Sequence, residues 1–188
     1  MRHGQTLFNL QHKIQGWCDA PLTELGKQQA EIAGQYLKNH HIQIQSASAS
    51  TSERACDTLE IVLDHSQSYQ RKKGLKEWHF GVFEGKDECL NPPLPYGDFF
   101  QAFGGEGEAQ FQKRIVDTIQ DIAQHDEAES ILIVSHGAAC AQFARYWSRY
   151  GVVQYQPGIG NCAIFKYTYD NEIFVLEEII THDFSGIL

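Results

Sequence analysis

Ile131-Leu132-Ile133-Val134, running into Ser135-His136-Gly137, is the stretch whose reading decides the fold class. The four apolar residues are uninterrupted and mostly β-branched. Such a run, too short for a helix, is what a sheet buries on both faces. Ala138 to Arg149 then reads as a helix, so strand and helix together make a βα unit. In open α/β sheets, ligands gather just past the carboxyl ends of the strands. His136 therefore stands where chemistry is expected.

Moving outward, Gln43 to Ala49 reads as a short strand, and Ser52 to Asp64 as a helix with Ala55, Leu59, Val62 and Leu63 inward. This second βα unit puts Arg54 near a helix N-terminus, where free backbone N–H groups favour anions. Leu22 to Asn39 is a helix with Thr23 as N-cap, Glu24 in the first turn, and Leu25, Ala30, Ala33 and Leu37 as an apolar stripe. Glu108 to His125 repeats the pattern with Phe111, Ile115, Ile119 and Ile122. The chain closes with alternating Cys162 to Tyr169, a turn at Asp170-Asn171, and Glu172 to Ile180, a hairpin. Residues 66–105, dense in glycine and proline, are expected to be irregular and either functional or mobile.

Length and composition narrow the function. The 188 residues suit one domain, 1–188, with a core of its own. A net charge of -9 argues against a nucleic-acid binder, which shows a basic face. It is compatible with a small anionic substrate, because a few focused cations in a cleft outweigh distant acidic charge. The five cysteines are scattered, with no Cys-x-x-Cys pair, so neither a disulfide framework nor a zinc site is indicated. No apolar run reaches the ~18 residues of a membrane helix, and there is no secretory h-region. A cytoplasmic protein with no membrane partner is expected, as monomer or homodimer.

The residues that could carry chemistry begin at Arg2-His3-Gly4-Gln5-Thr6, with Asn9 beyond. If Arg2, His3, Arg54 and His136 meet at one sheet edge, they form a pocket of two guanidinium groups and two imidazoles. Arginine matches phosphate bidentately and stays charged. A neutral imidazole can attack phosphorus and split one displacement into two. Two arginines and a protonated second histidine would stabilise the transferring group. A carboxylic acid with a raised pKa would protonate the leaving oxygen.

These stretches resemble the histidine phosphatase superfamily, in its phosphoglycerate mutase-like branch. Arg2-His3-Gly4-Gln5-Thr6-x-x-Asn9, Gln15-Gly16-Trp17-x-Asp19-x-x-Leu22-Thr23-x-x-Gly26 and Ser50-x-x-x-Arg54-Ala55-x-x-Thr58 follow its order. So do Glu77-x-x-Phe80-Gly81-x-x-Glu84-Gly85 and Val134-Ser135-His136-Gly137. The resemblance implies a three-layer αβα sandwich with a mostly parallel sheet. It implies His3 as the phosphorylated nucleophile, Arg2, Arg54 and His136 as the phosphate pocket, and Glu77 as general acid and then base. Asn9, Gln15, Gly16, Gly137 and Ala138 would contact the phosphoryl group or its ester. No metal or organic cofactor is implied for phosphatase members, and the partner is a small phosphate ester.

Family mutases carry an insertion before the second histidine, with paired arginines and a lysine for the substrate carboxylate. Here that interval holds only Lys86, Lys113 and Arg114, so hydrolysis is expected over mutation. A phosphoglycerate mutase and an inactive phosphoryl-binding regulatory protein are the alternatives. Two departures stand out. Gly107 replaces the serine that relatives place ahead of the helix. Only Met1 precedes Arg2, so the first, central strand is largely missing, and either a misassigned start or a damaged fold with unpaired ladder groups is expected. Of the remaining polar residues, Glu84 is expected to hold its loop, while Trp78 and His79 line the entrance or pack. Tyr96, Phe99, Phe100 and Phe103 form a flap or a core.

Overall fold

The computed structural model describes residues 1–187. Its elements are α1 (Leu7–Leu10), α2 (Glu24–Asn39), β1 (Ser46–Ser50), α3 (Glu53–Val62), β2 (Gln70–Lys72), α4 (Glu108–His125), β3 (Ile131–Val134), α5 (Gly137–Tyr146), β4 (Ile164–Asp170) and β5 (Ile173–Ile180). Strands β2, β1 and β3 form a parallel sheet in that order. Ser46 of β1 pairs with Ile131 of β3, and Ala49 with Val134, so both strands end at the same edge. Strands β4 and β5 form an antiparallel hairpin.

Apolar periodicity explains the layering. Ala30, Ala33 and Leu37 of α2 and Ala55, Leu59 and Val62 of α3 are buried in one core with Ala47, Ala49 and Val134. On the other side Phe111 and Ile115 of α4 and Phe143 of α5 form a second core with Trp78, Phe80, Phe100 and Phe174. Fully burying residues such as Phe111 and Ile115 contributes about 1.5–3 kcal/mol each. The result is α/β layering around a mostly parallel sheet. Within β3 only Leu132 and Val134 are buried, while Ile131 and Ile133 are half-buried. The expected burial on both faces is thus corrected to an alternation.

Met1–His3 lies between β3 and the residues leading into β4. The Met1 ammonium donates to Ile133 O at 2.8 Å. Ser135 N donates to Met1 O at 2.9 Å and His3 N to Ser135 O at 3.0 Å. On the other side Arg2 N donates to Ala163 O at 3.1 Å and Cys162 N to His3 O at 3.3 Å. Met1 is itself buried among Leu132, Val134 and Ile164. Over these three residues the expected ladder loss and core hole are corrected: both neighbours find partners, and His3 is pinned from both sides.

Residues 66–105 hold strand β2 and short 3-10 turns. Their order comes from an aromatic cluster in which Phe100 is fully buried against Trp78, Phe80 and Tyr96. Phe100 and Tyr96 are core, and Phe99 and Phe103 remain partly exposed. Gly107 is the N-cap of α4 and supplies no side-chain bond. No described helix is long and apolar enough to cross a membrane.

Candidate active site

His3 is held by backbone on both flanks, and its neighbour Gly4 must be glycine. A Cβ there would stand 2.4 Å from the Gly26 carbonyl oxygen of α2. Gly4 N donates to Thr58 Oγ1 at 3.0 Å. The His3 ring is buried, and its Nδ1 lies 2.7 Å from Gly4 O. A carbonyl only accepts, so Nδ1 carries the proton and Nε2 carries the lone pair.

Arg54, one residue into α3, is fully buried. Its Nε donates to His3 Nε2 at 3.3 Å, Nη1 to Cys18 O at 3.0 Å and Asp19 Oδ1 at 2.7 Å, and Nη2 to Gly16 O at 2.8 Å. One Nη2 hydrogen is left over. Arg2 donates through Nη1 to Ile159 O at 2.8 Å, while its Nε is buried without a partner. Its guanidinium lies against Gly137, beside a cavity of about 180 Å³ that Tyr155, Ile159 and Phe165 also line.

His136 stands at the carboxyl edge of β3, and its ring centroid is 5.3 Å from that of His3. Its Nε2 pairs with Ser50 Oγ, at the end of β1, at 2.8 Å; its Nδ1 is buried and unpartnered. Burial, Arg54 and Arg2 push the His3 pKa well below the usual imidazole range. Burial, Arg54 and His3 do the same to His136. The setting thus works against the proton expected on the second histidine. Burial and the neighbouring cations disfavour the charged form of His136, and an anion between the two rings would favour it.

Glu77 is buried above the N-terminus of α5. Its Oε1 accepts from Trp78 N at 2.9 Å and Ala139 N at 3.1 Å, and its Oε2 from Ala138 N at 2.9 Å. Burial raises its pKa, overriding these N–H bonds and the pull of Arg54 and Arg2.

Among the five lesser expected contacts, Gly137 lines the pocket wall beside Arg2. Gln15 Oε1 accepts from Thr6 Oγ1 at 2.6 Å, leaving its buried Nε2 unpartnered. Asn9 Oδ1 accepts from Thr6 N and from Asn161 Nδ2. Ala138 and Gly16 are placed differently from expectation. The Ala138 N–H is occupied by Glu77. The Gly16 N–H goes to Glu84 at 3.0 Å and its carbonyl to Arg54, so Gly16 braces the pocket instead of facing it. A Cβ at Gly16 would stand 2.1 Å from Trp78 O, which is why glycine is required.

The supporting residues were not foreseen. Asp19 is the carboxylate partner of Arg54, the Ser50 hydroxyl pairs with His136, and Asn161 Nδ2 donates to His3 O at 3.0 Å. Glu84 does hold its loop, accepting from Gly16, Trp17, Cys18 and Phe80 N–H groups. Burial raises its pKa, but the Cys18 thiol and the N–H groups of Trp17, Phe80 and Cys18 outweigh it and keep the carboxyl low. Trp78 is core, and half-buried His79 rests on Trp17 with ring centroids 4.7 Å apart. No group of three or more His, Cys, Asp or Glu that could hold a metal occurs among the described residues.

With this geometry in view, residues 1–181 match the family model described as histidine phosphatase superfamily (branch 1). A broad-specificity phosphatase of Saccharomyces cerevisiae is 27% identical over a 196-residue alignment spanning 95% of this chain and 83% of that protein. A 2,3-bisphosphoglycerate-dependent phosphoglycerate mutase of Hydrogenobaculum sp. is 37% identical over 89 residues. That match spans 45% of this chain but only 36% of the mutase. Among solved structures, a phosphoserine phosphatase of Entamoeba histolytica in complex with 3-phosphoglyceric acid superposes with a TM-score of 0.79 at 27% identity. The superposition covers 100% of this chain and 96% of that one.

Proposed function

We propose, for a chain that belongs to the histidine phosphatase superfamily, that it hydrolyses small phosphomonoesters through a phosphohistidine on His3. The single observation that carries the reading is the Arg54–His3 arrangement: a neutral imidazole with its lone pair on Nε2, met by a buried guanidinium. In the first step Nε2 attacks phosphorus and the ester P–O bond breaks. The departing alkoxide takes its proton from the Glu77 carboxyl, whose raised pKa suits an acid. Arg2, Arg54 and His136 carry the phosphoryl oxygens, with Gln15 and Asn9 at the rim. In the second step the Glu77 carboxylate takes a proton from water, the water oxygen bonds phosphorus, and the P–N bond breaks to give inorganic phosphate. The second half-reaction undoes what the first did to Glu77 and His3, so the two together return both to their starting states.

Hydrolysis is favoured over mutation by the fate of the cations between Glu77 and His136. Arg114 spends all five N–H groups inside the protein, Lys113 pairs with Asp117, and Lys86 lies over the Phe83 ring at 5.3 Å. Arg114, the one arginine among them, has no N–H left to clamp a substrate carboxylate. The similarity to curated mutases keeps mutation as the second reading. We place the protein in the cytoplasm, as one domain, on its five unbridged cysteines and shared cores. The test is phosphate release from a panel of esters, with 3-phosphoglycerate assayed with and without 2,3-bisphosphoglycerate. Phosphate release from several esters supports the reading. Isomerisation dependent on the bisphosphate, without release, replaces it with the mutase, and no turnover of any ester replaces it with a phosphoryl-binding protein.

A further inference from the structure

The segment that carries Glu77 has no strand to lean on. It follows β2 through the 3-10 turn Lys73–Leu75 and runs to the next 3-10 turn at Gly81–Phe83, outside the β2-β1-β3 sheet. Most of its carbonyls meet one guanidinium, with Trp17 Nε1 also donating to Glu77 O at 3.0 Å and Ser135 Oγ to Leu75 O at 2.7 Å. Arg114 Nη1 donates to Gly74 O at 2.9 Å and Lys76 O at 2.8 Å, and Nη2 donates to Glu77 O at 3.0 Å. Its remaining donors go to Glu106: Nε to Oε1 at 2.7 Å and Nη2 to Oε2 at 2.6 Å. A planar fork with five donors suits this saturation, whereas an ammonium has only three.

Glu106 then closes the frame from the far side of Glu77. Its Oε2 also accepts from His79 N at 3.0 Å, its N donates to His79 O at 2.8 Å, and its carbonyl accepts from Trp78 Nε1 at 2.7 Å. Carbonyls 74, 76 and 77 and the backbone of 79 are thus tied to one ion pair, whose side chains are 20% and 10% exposed. Below it the Glu77 carboxylate reaches the Ala138 and Ala139 N–H groups of α5. Neither member of the pair hydrogen-bonds to His3, Arg54, Arg2 or His136; apart from the charge by which Arg114 disfavours protonation of His136, its route to the chemistry is Glu77.

We infer that Arg114, locked to Glu106, is a positioning residue that sets where the Glu77 carboxyl stands over the phosphate pocket. The inference rests on the phosphatase reading, in which Glu77 must reach a leaving oxygen. A displacement of about 1 Å at such a group can cost on the order of 10²-fold in rate. Loosening the frame also admits water around a carboxyl that burial keeps high, so its proton is lost at lower pH.

The experiment compares the unsubstituted protein with Arg114→Lys and Glu106→Gln on two esters. One is an alkyl phosphate whose leaving group needs a proton; the other is an aryl phosphate whose phenolate leaves without one. Arg114→Lys is expected to lower kcat on the alkyl ester about tenfold more than on the aryl ester, and to move the alkaline limb of the alkyl profile to lower pH. Glu106→Gln, which keeps the size and one acceptor, should shift both readouts the same way by less. Equal losses on both esters with unmoved limbs, in proportion to lost folded protein, would assign the pair to stability alone and overturn the inference. If the unsubstituted protein releases phosphate from neither ester, it is the phosphatase reading that fails. The Glu77 pKa, followed by carboxyl NMR in the unsubstituted protein and Arg114→Lys, then decides positioning: a fall supports it, and an unchanged value overturns it.

Discussion

Arg54 Nε donates to His3 Nε2 across 3.3 Å, while on the opposite edge of the same ring Nδ1 donates to Gly4 O at 2.7 Å. The short bond fixes the tautomer, and the long one holds the lone pair loosely toward the pocket. A contact of 3.3 Å is near the long end for N–H donors, so an approaching phosphoryl oxygen can take over the guanidinium hydrogen as phosphorus reaches Nε2. The arginine thus marks the place of the phosphoryl group before it arrives.

Replacing Glu77 by glutamine keeps the shape but removes the proton. The kcat on an alkyl phosphate is expected to fall roughly 10²–10⁴-fold, with a far smaller loss on an aryl phosphate that leaves as phenolate. Steady-state kinetics on both esters checks this. Equal losses would remove Glu77 from the acid role.

Asp19→Asn tests the anchoring of Arg54. Asp19 Oδ1 accepts from Arg54 Nη1 at 2.7 Å and is that guanidinium's carboxylate partner, the rest of its bonds going to carbonyls and His3. Losing the charge should destabilise the protein by about 1–3 kcal/mol in urea unfolding. It should also weaken inhibition by inorganic phosphate on the order of tenfold, since a displaced Arg54 no longer matches the anion. Unchanged phosphate inhibition would show that Arg54 keeps its place without Asp19.

The two active-site histidines predict a pH slope in stability. Both are held well below the usual imidazole value of about 6.5, chiefly by burial and the neighbouring Arg54. Below that pH the unfolded chain takes up protons that the fold refuses. Stability present above pH 6.5 is therefore lost as pH falls toward the folded values. Glu77 acts with the opposite sign: its raised pKa makes the fold bind the extra proton, and that stabilisation is lost as pH rises through it. With two histidines against one carboxyl, urea midpoints should drop between about pH 7.5 and about pH 5.5, and His136→Asn should make the slope shallower. A flat profile in both proteins would contradict this.

Strong local patterns were legible. Helix α4 and strand β3 have the boundaries that apolar spacing indicates, and α2 begins at Glu24 because Thr23 Oγ1 accepts from Gly26 N and closes the first turn. Strand β1 was harder, because Ser-Ala-Ser-Ala-Ser carries little apolar signal; its alanines are buried by the helices above them. At the site, Arg2, His3, Arg54, Glu77 and His136 were readable as motifs. Their supports were not, because Arg114 to Gly74 or Asn161 to His3 are contacts between residues far apart in the chain. Ala138 and Gly16 were misjudged for a related reason. Whether a backbone N–H is free depends on which carboxylate, Glu77 or Glu84, already accepts from it.

The central claim is a covalent phosphoryl group on His3, and trapping it is the most direct measurement. The protein is mixed with a ³²P-labelled phosphate ester, quenched in alkali and digested, and the labelled peptide is sequenced. The account predicts an acid-labile, alkali-stable label on the peptide containing His3, formed no more slowly than turnover and absent from His3→Ala. Steady phosphate release from the unsubstituted protein with no such label, or a label that persists in His3→Ala, would contradict it.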